Sequence, residues 1–197
     1  MRKYTCKGYY SISRDCGLLL YILAYAIARL NGHVRVAAIG TCASVSALCL
    51  AKALRYSGAS GLVSVLDYDT ECVSTLREEL GGSELERYVE ICENASSMGE
   101  LRDIDLLLLA DTALVDPSSI SSALAERSIA VVGGVLAGIH KNPLVLKAVV
   151  EHGFTRALIP VDSGLLLLAK KVYDDSFLRK TIDVYRESFI QGPNPVH

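Results

Sequence analysis

The sequence lacks the features that mark several large classes of protein. The net charge is −2 and no block of five or more basic residues occurs, which argues against nucleic acid as a partner, because phosphate binding depends on clustered positive charge. No apolar run reaches the roughly 18–20 residues that a membrane-spanning helix needs. We therefore expect no nucleic-acid partner and no membrane partner.

Metal-binding cysteine motifs are also missing. The sequence has six cysteines but no Cys-x-x-Cys, and no histidine stands at metal-ligand spacing from any of them, so a structural zinc site is not expected. The favoured interpretation is buried thiols in a reducing compartment. Disulfides stay open as the alternative for a hyperthermophile, in which intracellular disulfides occur.

The apolar run 17–28 imitates a secretion signal but fits a folded helix better. It is only twelve residues long, Asp15 precedes it and Arg29 follows it at once. A helix over 14–31, with Ser13 as its N-cap and Gly32 after its end, satisfies the usual capping preferences. We therefore predict a packed helix of a cytoplasmic protein.

The hydrophobic pattern predicts one α/β domain. Helical spacing or capping signals predict helices over residues 14–31, 44–56, 70–82, 117–126, 143–152 and 174–190. Apolar runs predict strands over residues 34–39, 61–66, 88–92, 104–109, 129–132, 156–161 and 165–169. Alternating strands and helices imply a parallel sheet, and the last two strands form an antiparallel hairpin. The fold class is thus a Rossmann-like, mostly parallel seven-stranded sheet with helices on both faces, preceded by a helical segment (1–32) and followed by a C-terminal helix and tail (172–197).

The segment 34–54 is the most informative part of the chain. It reads as a buried strand, a tight turn at Gly40 and a helix, and Asp67 ends the next strand 27 residues later. Such a turn offers backbone N–H groups to a ligand, and such an acid accepts hydrogen bonds from ribose hydroxyls. We predict an adenosine-containing ligand. The alternatives are a purely structural turn and an Asp67 that caps the third helix, a role that Asp69 or Thr70 fills better.

Three segments, residues 39–51, 94–96 and 158–170, resemble the class I S-adenosylmethionine-dependent methyltransferases, and more narrowly the small O-methyltransferases of the catechol and caffeoyl-CoA type. Residues 39–51 resemble the first motif of that family, which generally runs Ile-Gly-Thr, then Gly, an aromatic residue and Ser-Ala-Leu. Asn94-Ala95-Ser96 resembles the segment that borders the adenine. Residues 158–170 are close to the C-terminal hairpin of the family.

The resemblance implies S-adenosylmethionine as the cofactor and a small molecule as the methyl acceptor. The implied cofactor-binding residues are Gly40, Thr41, Ser44, Ser46, Asp67, Asn94, Ala95 and Ser96. For Ser44 and Ser46, a helix-capping role is an equal alternative. The resemblance also implies a homodimer, and the apolar helix 18–28, which carries Tyr21 and Tyr25, suggests the segment that it buries.

Three residues are candidates for catalysis. Asp111 follows the buried strand 104–109 at the carboxyl edge of the sheet, where ligands bind in such folds. His140 and Lys141 follow the fifth strand, near the expected substrate entrance, where either could act as a general base or bind a carboxylate. The alternative for Asp111 is a turn residue, and for the other two a solvated loop pair.

The chain departs from the resembled family at several positions. Ala38 and Ser44 stand where the family has an acid and a second loop glycine, and Gly133-Gly134 stands where metal-dependent members have Asp-Asn. Because Mg²⁺ needs several oxygen ligands, we predict no metal site and a metal-independent methyltransferase. A second hypothesis is a catalytically degenerate binding or structural subunit. A third is another nucleotide-binding α/β enzyme, such as a nicotinamide-dependent oxidoreductase, which the missing Gly-x-Gly-x-x-Gly and the closing hairpin disfavour.

Overall fold

A computed structural model describes residues 12–41, 43–94, 101–110, 122–135, 155–161 and 164–169. Its helices are α1 (Arg14–Asn31), α2 (Ala43–Ser57), α3 (Thr70–Leu80) and a short 3₁₀ helix, Glu86–Tyr88. Its strands are β1 (His33–Ile39), β2 (Ser60–Leu66), β3 (Val89–Ile91), β4 (Ile104–Leu109), β5 (Leu124–Gly133), β6 (Thr155–Ile159) and β7 (Leu165–Ala169).

The strands form one seven-stranded sheet in the order β3-β2-β1-β4-β5-β7-β6. Strands β1 to β5 are all parallel to one another, whereas β7 runs antiparallel to both β5 and β6. The predicted fold class, a mostly parallel sheet closed by an antiparallel hairpin, is confirmed.

Helix α1 begins and ends as its sequence predicts. The Ser13 hydroxyl accepts a hydrogen bond from the Cys16 backbone N–H at 3.1 Å, and Gly32 ends the helix with φ at 71°, a conformation that favours glycine. The apolar run of α1 packs against α2 and the sheet, so it is a core helix. Within the ranges described above, no helix is long and apolar enough to cross a membrane.

The two faces of the sheet bury separate sets of side chains. Residues of α1, α2 and α3 share one core with Val36 and Ala38 of β1, while Ala37 and Ile39 point into a second core with Leu107 and Leu109 of β4. This alternation follows from the two-residue period of a strand. The three described α-helices therefore cover the first face, and the predicted helices over 143–152 and 174–190 fall outside the described residues.

The predicted end of the helix over 117–126 is wrong. Strand β5 already begins at Leu124, which pairs with Ile104, and the register with β4 shifts before Leu106 pairs with Ile129. Alanine, glutamate and arginine at positions 125–127 favour helix intrinsically, but pairing with β4 overrides that preference. Strand β3 is shorter than predicted, because Tyr88 ends the 3₁₀ helix that precedes it.

Candidate functional site

The carboxyl ends of three parallel strands meet at one edge of the sheet. The backbone N–H of Gly40, just after β1, donates to the Leu66 carbonyl of β2 at 3.0 Å, and that of Ala110, just after β4, donates to the Ile39 carbonyl at 2.8 Å. The chain proceeds from β1 to β2 on one side and later returns to β4 on the other. Such a reversal opens a crevice between the loops, where open α/β sheets bind ligands.

Gly40 forms the turn from β1 into α2. Its φ is 116°, which L-residues with a side chain rarely adopt, and its carbonyl accepts a hydrogen bond from the Ala43 backbone N–H at 3.1 Å. The predicted tight turn is confirmed. Contact of Gly40 or Thr41 with a ligand remains a prediction.

Asp67 links two loops of the crevice. One carboxylate oxygen (Oδ2) accepts a hydrogen bond from the Ser44 backbone N–H at 2.9 Å, and the other (Oδ1) accepts one from the Asp69 backbone N–H at 3.0 Å. Asp67 thus satisfies an N–H group at the start of α2, which sequence reasoning missed.

The alternative that Asp67 caps the third helix is wrong. The Asp69 carboxylate does so by accepting hydrogen bonds from the backbone N–H groups of Glu71 and Cys72, at 2.9 and 3.3 Å. A signal for the actual role of Asp67 is present in the sequence. Cys42, the residue before α2, is a poor N-cap, so the N–H groups of the first turn need an acceptor from elsewhere.

The side chains of Ser44 and Ser46 are buried. Ser44 is 2% exposed and Ser46 is fully buried, and neither side-chain oxygen makes a hydrogen bond within the described part of the chain. The alternative that one of these hydroxyls caps the helix is therefore wrong. A buried, unpaired hydroxyl costs about 1–3 kcal/mol, so these two side chains lack hydrogen bonds at the start of α2, the helix whose Ser44 backbone N–H is bonded to Asp67.

The remaining predicted site residues are only partly described. Asn94 is exposed and follows Cys92, whose backbone N–H donates to the Val65 carbonyl of β2 at 2.8 Å, so Asn94 lies near the same edge. The other predicted residues, Ala95, Ser96, Asp111, His140 and Lys141, lie outside the described residues. The structure thus brings Gly40, Ser44 and Asp67 together and leaves the predicted catalytic roles untested.

Acidic and sulfur ligands do not cluster in the described ranges. No group of three or more His, Cys, Asp or Glu residues there could hold a metal ion. Gly133 ends β5, and Gly134 turns away from the strand with φ at 73°. Metal independence remains a prediction.

The cysteines differ from the favoured interpretation. Cys49 and Cys92 are free thiols, and burial raises the pKa of both thiols. Cys72, buried in the first turn of α3, is disulfide-bonded. The prediction of reduced thiols is therefore wrong for Cys72.

Comparison with known proteins identifies the fold. No protein-family model and no curated protein matches the sequence. A methyltransferase from Geobacter sulfurreducens is 22% identical with a TM-score of 0.64, the match covering 82% of each chain. The O-methyltransferase from Bacillus cereus, solved in complex with S-adenosylhomocysteine (SAH), is 15% identical with a TM-score of 0.60, over 83% of this chain and 84% of that one.

A third similar structure is the O-methyltransferase TomG from Streptomyces achromogenes, solved in complex with S-adenosylmethionine (SAM). It is 18% identical with a TM-score of 0.58, over 81% of this chain and 82% of that one. At such identities, the shared property is the fold. The chain has the fold of the class I SAM-dependent O-methyltransferases.

Proposed function

We propose that this protein binds SAM at the carboxyl edge of the sheet and transfers its methyl group to a small-molecule acceptor. The observation that carries the proposal is the position of the Asp67 carboxylate, 2.9 Å from the Ser44 backbone N–H at the start of α2 and close to the Gly40 turn. The similar structures from Bacillus cereus and Streptomyces achromogenes, with SAH and SAM respectively, add support.

The described residues fit an adenosyl ligand. The Asp67 carboxylate would accept hydrogen bonds from the ribose hydroxyls, and the positive end of the α2 dipole would favour the carboxylate of the methionine moiety. Thr41, Ser44 and Ser46 are the further hydrogen-bonding residues that we propose for the cofactor. The segment Asn94-Ala95-Ser96 would border the adenine.

Catalysis would require little of the protein beyond positioning and proton removal. Bound SAM supplies an electrophilic methyl group, and the protein aligns the acceptor with it. Asp111 directly follows Ala110, whose backbone N–H is bonded to β1, so it is a candidate base for the acceptor's proton. His140 and Lys141 are the other candidates, as a base or as a clamp for an acceptor carboxylate.

We further propose that the reaction needs no metal, and that the protein acts in the cytoplasm. Gly133 and Gly134 offer no side-chain oxygen, and one carboxylate at Asp111 is too few for a Mg²⁺ shell. The cytoplasmic assignment is supported by α1, because the apolar segment that imitates a secretion signal is buried in the domain core.

Calorimetric titration with SAH and with NAD tests the cofactor. We expect heat of binding with SAH and none with NAD at matched concentrations. Binding of NAD alone would favour the nicotinamide-dependent oxidoreductase, and no binding of SAH at millimolar concentration would contradict the proposal.

A catalytically degenerate binding subunit is the second candidate function. Ala38 favours it, because this fully buried methyl side chain at the end of β1 offers no charge to a ligand's ammonium group. A screen of phenols, carboxylates and amines with radiolabelled SAM separates the two functions. SAH binding without methyl transfer to any acceptor would favour the binding subunit.

A further inference from the structure

Asp69 is joined to Asp67, the proposed ribose-binding residue, through its backbone. The Asp69 N–H donates to one carboxylate oxygen of Asp67 (Oδ1) at 3.0 Å, and the other oxygen (Oδ2) accepts a hydrogen bond from the Ser44 backbone N–H at 2.9 Å. The two bonds reach the Asp67 carboxylate from different elements, the turn before α3 and the start of α2. The orientation of this carboxylate therefore depends in part on where the Asp69 N–H points.

The Asp69 side chain fixes its own backbone against α3. Its carboxylate accepts hydrogen bonds from the backbone N–H groups of Glu71 and Cys72, at 2.9 and 3.3 Å. Helix α3 is in turn anchored to the rest of the domain, because Leu76 on its inner face is 2% exposed and belongs to the core that α3 shares with α2. The cap thus connects the Asp69 backbone to a part of the structure that is held by packing.

We propose that Asp69 is a positioning residue for the ligand: by capping α3, it orients the N–H group that holds the Asp67 carboxylate. The inference rests on the proposed function, in which Asp67 binds the ribose. Asp69 acts through Asp67 and does not touch the ligand itself. Without the cap, the Asp69 backbone is less constrained and the Asp67 carboxylate samples more orientations, so part of the binding free energy is spent on ordering it.

Two other roles of Asp69 would give different results. A cap that is structural only would stabilise α3 and leave ligand binding unchanged. A direct contact with the ligand would depend on the negative charge of Asp69. Asparagine separates these roles, because it caps a helix about as well as aspartate does but carries no charge.

Calorimetric titration with SAH compares wild type with Asp69→Ala, Asp69→Asn and a control, Ser83→Ala. The control removes a hydroxyl that also accepts a backbone N–H bond, from Leu85 at 3.3 Å, but beyond the other end of α3. We expect Asp69→Ala to weaken SAH binding about three- to tenfold, and Asp69→Asn and Ser83→Ala to stay within about twofold of wild type.

Three results of this titration would overturn the positioning role. These are wild-type affinity in Asp69→Ala, an equal loss in Asp69→Asn, which would indicate a direct charge contact, and an equal loss in Ser83→Ala, which would indicate a general effect of stability. Denaturant unfolding checks that each variant is folded. If Asp69→Ala does not fold, Asp69→Gly takes its place with the same expected loss, because glycine at an N-cap costs less stability than alanine.

Amide hydrogen exchange of the free protein tests the hydrogen bonds without a ligand. Ser44 lies in the first turn of α2, so its N–H has no acceptor within the helix and its protection depends on Asp67. We expect Asp69→Ala to speed exchange of this N–H about three- to tenfold, and Ser83→Ala to leave it unchanged. An unchanged rate in Asp69→Ala would overturn the positioning role.

The two measurements separate this inference from the proposed function. If Asp69→Ala speeds exchange at Ser44 but the wild type binds no SAH, the cofactor assignment fails and the control of Asp67 by Asp69 stands. If the wild type binds SAH and Asp69→Ala binds it equally well, the positioning role fails and the cofactor assignment stands.

Discussion

The Asp67 carboxylate accepts a hydrogen bond from the backbone N–H of Ser44, 23 residues earlier in the chain, at 2.9 Å. This bond joins the end of β2 to the start of α2, so the Asp67 side chain stabilises the fold. The same side chain is the proposed binding group for the ribose. Substitution of Asp67 therefore affects both stability and binding, and the two effects need to be separated.

The pair of variants Asp67→Ala and Asp67→Asn separates them. We expect Asp67→Ala to lower the free energy of unfolding by about 0.5–2 kcal/mol, as loss of a helix N-cap does, while Asp67→Asn keeps an acceptor for Ser44 and loses less. Both variants should weaken SAH binding, Asp67→Ala by about ten- to a hundredfold, because charge-assisted bonds to ribose are worth roughly 1.5–3 kcal/mol. Denaturant unfolding and calorimetry measure the two quantities. Unchanged SAH affinity in both variants would show that Asp67 is structural only.

The sequence predicted the ligand edge better than the chemistry at it. Apolar runs and glycine turns are local signals, so β1, β2, β4 and the turn at Gly40 were predicted within a residue or two. The bond from Asp67 to Ser44 depends on how two βα units sit side by side, which no local pattern encodes. Likewise, the start of β5 could not be predicted from local sequence. The residues there favour a helix intrinsically, but pairing with β4 makes them a strand.

The homodimer remains a prediction, and the structure changes its basis. Most of the apolar residues of α1 are buried in the chain's own core, so they do not need a partner. The side chains that stay exposed or half-buried include a tyrosine patch: Tyr21 and Tyr25 are stacked with ring centroids 6.1 Å apart, and Tyr56, which is 64% exposed, lies near Tyr21. We propose that a second copy covers this patch.

Light scattering on the wild type and two variants tests the dimer. We expect twice the chain mass of 21.2 kDa for the wild type and a shift to monomer for Tyr25→Glu, which places a charge in the patch. Leu158→Lys, an exposed position on β6, is the control and should remain dimeric. A wild-type mass near that of one chain at micromolar concentration would contradict the prediction.

Removal of divalent metal should leave the protein unchanged. Gly133 and Gly134 lack side-chain oxygens, so any Mg²⁺ affinity at this edge should be poor. We expect EDTA to alter neither SAH affinity nor any methyl transfer found in the acceptor screen. Activity that is lost on chelation and restored by Mg²⁺ would contradict metal independence and favour a metal-dependent methyl transfer.

Asp105 predicts a pH dependence of stability at the opposite edge of the sheet. Its carboxylate accepts hydrogen bonds from the Arg35 backbone N–H at 2.8 Å and the Asn31 side-chain amide at 3.2 Å. Burial, the largest influence, raises the pKa of Asp105 above its usual 3.8; these hydrogen bonds and the nearby His33 charge lower it, and Asp103 raises it. The folded state therefore binds the Asp105 proton more tightly than the unfolded state does. The contribution of this group to stability falls as the pH rises from its unfolded-state pKa to its higher folded-state pKa.

Asp105→Asn should remove this dependence, because an amide does not ionise there and can still accept a hydrogen bond from Arg35. We expect the free energy of unfolding of the variant, relative to wild type, to increase as the pH rises from below 3.8, the usual pKa of the carboxyl, into the range in which the folded-state carboxyl ionises. Urea unfolding at half-unit pH intervals measures the difference between the two proteins. A difference that stays constant across the range would show that the Asp105 carboxyl titrates alike in the folded and unfolded states.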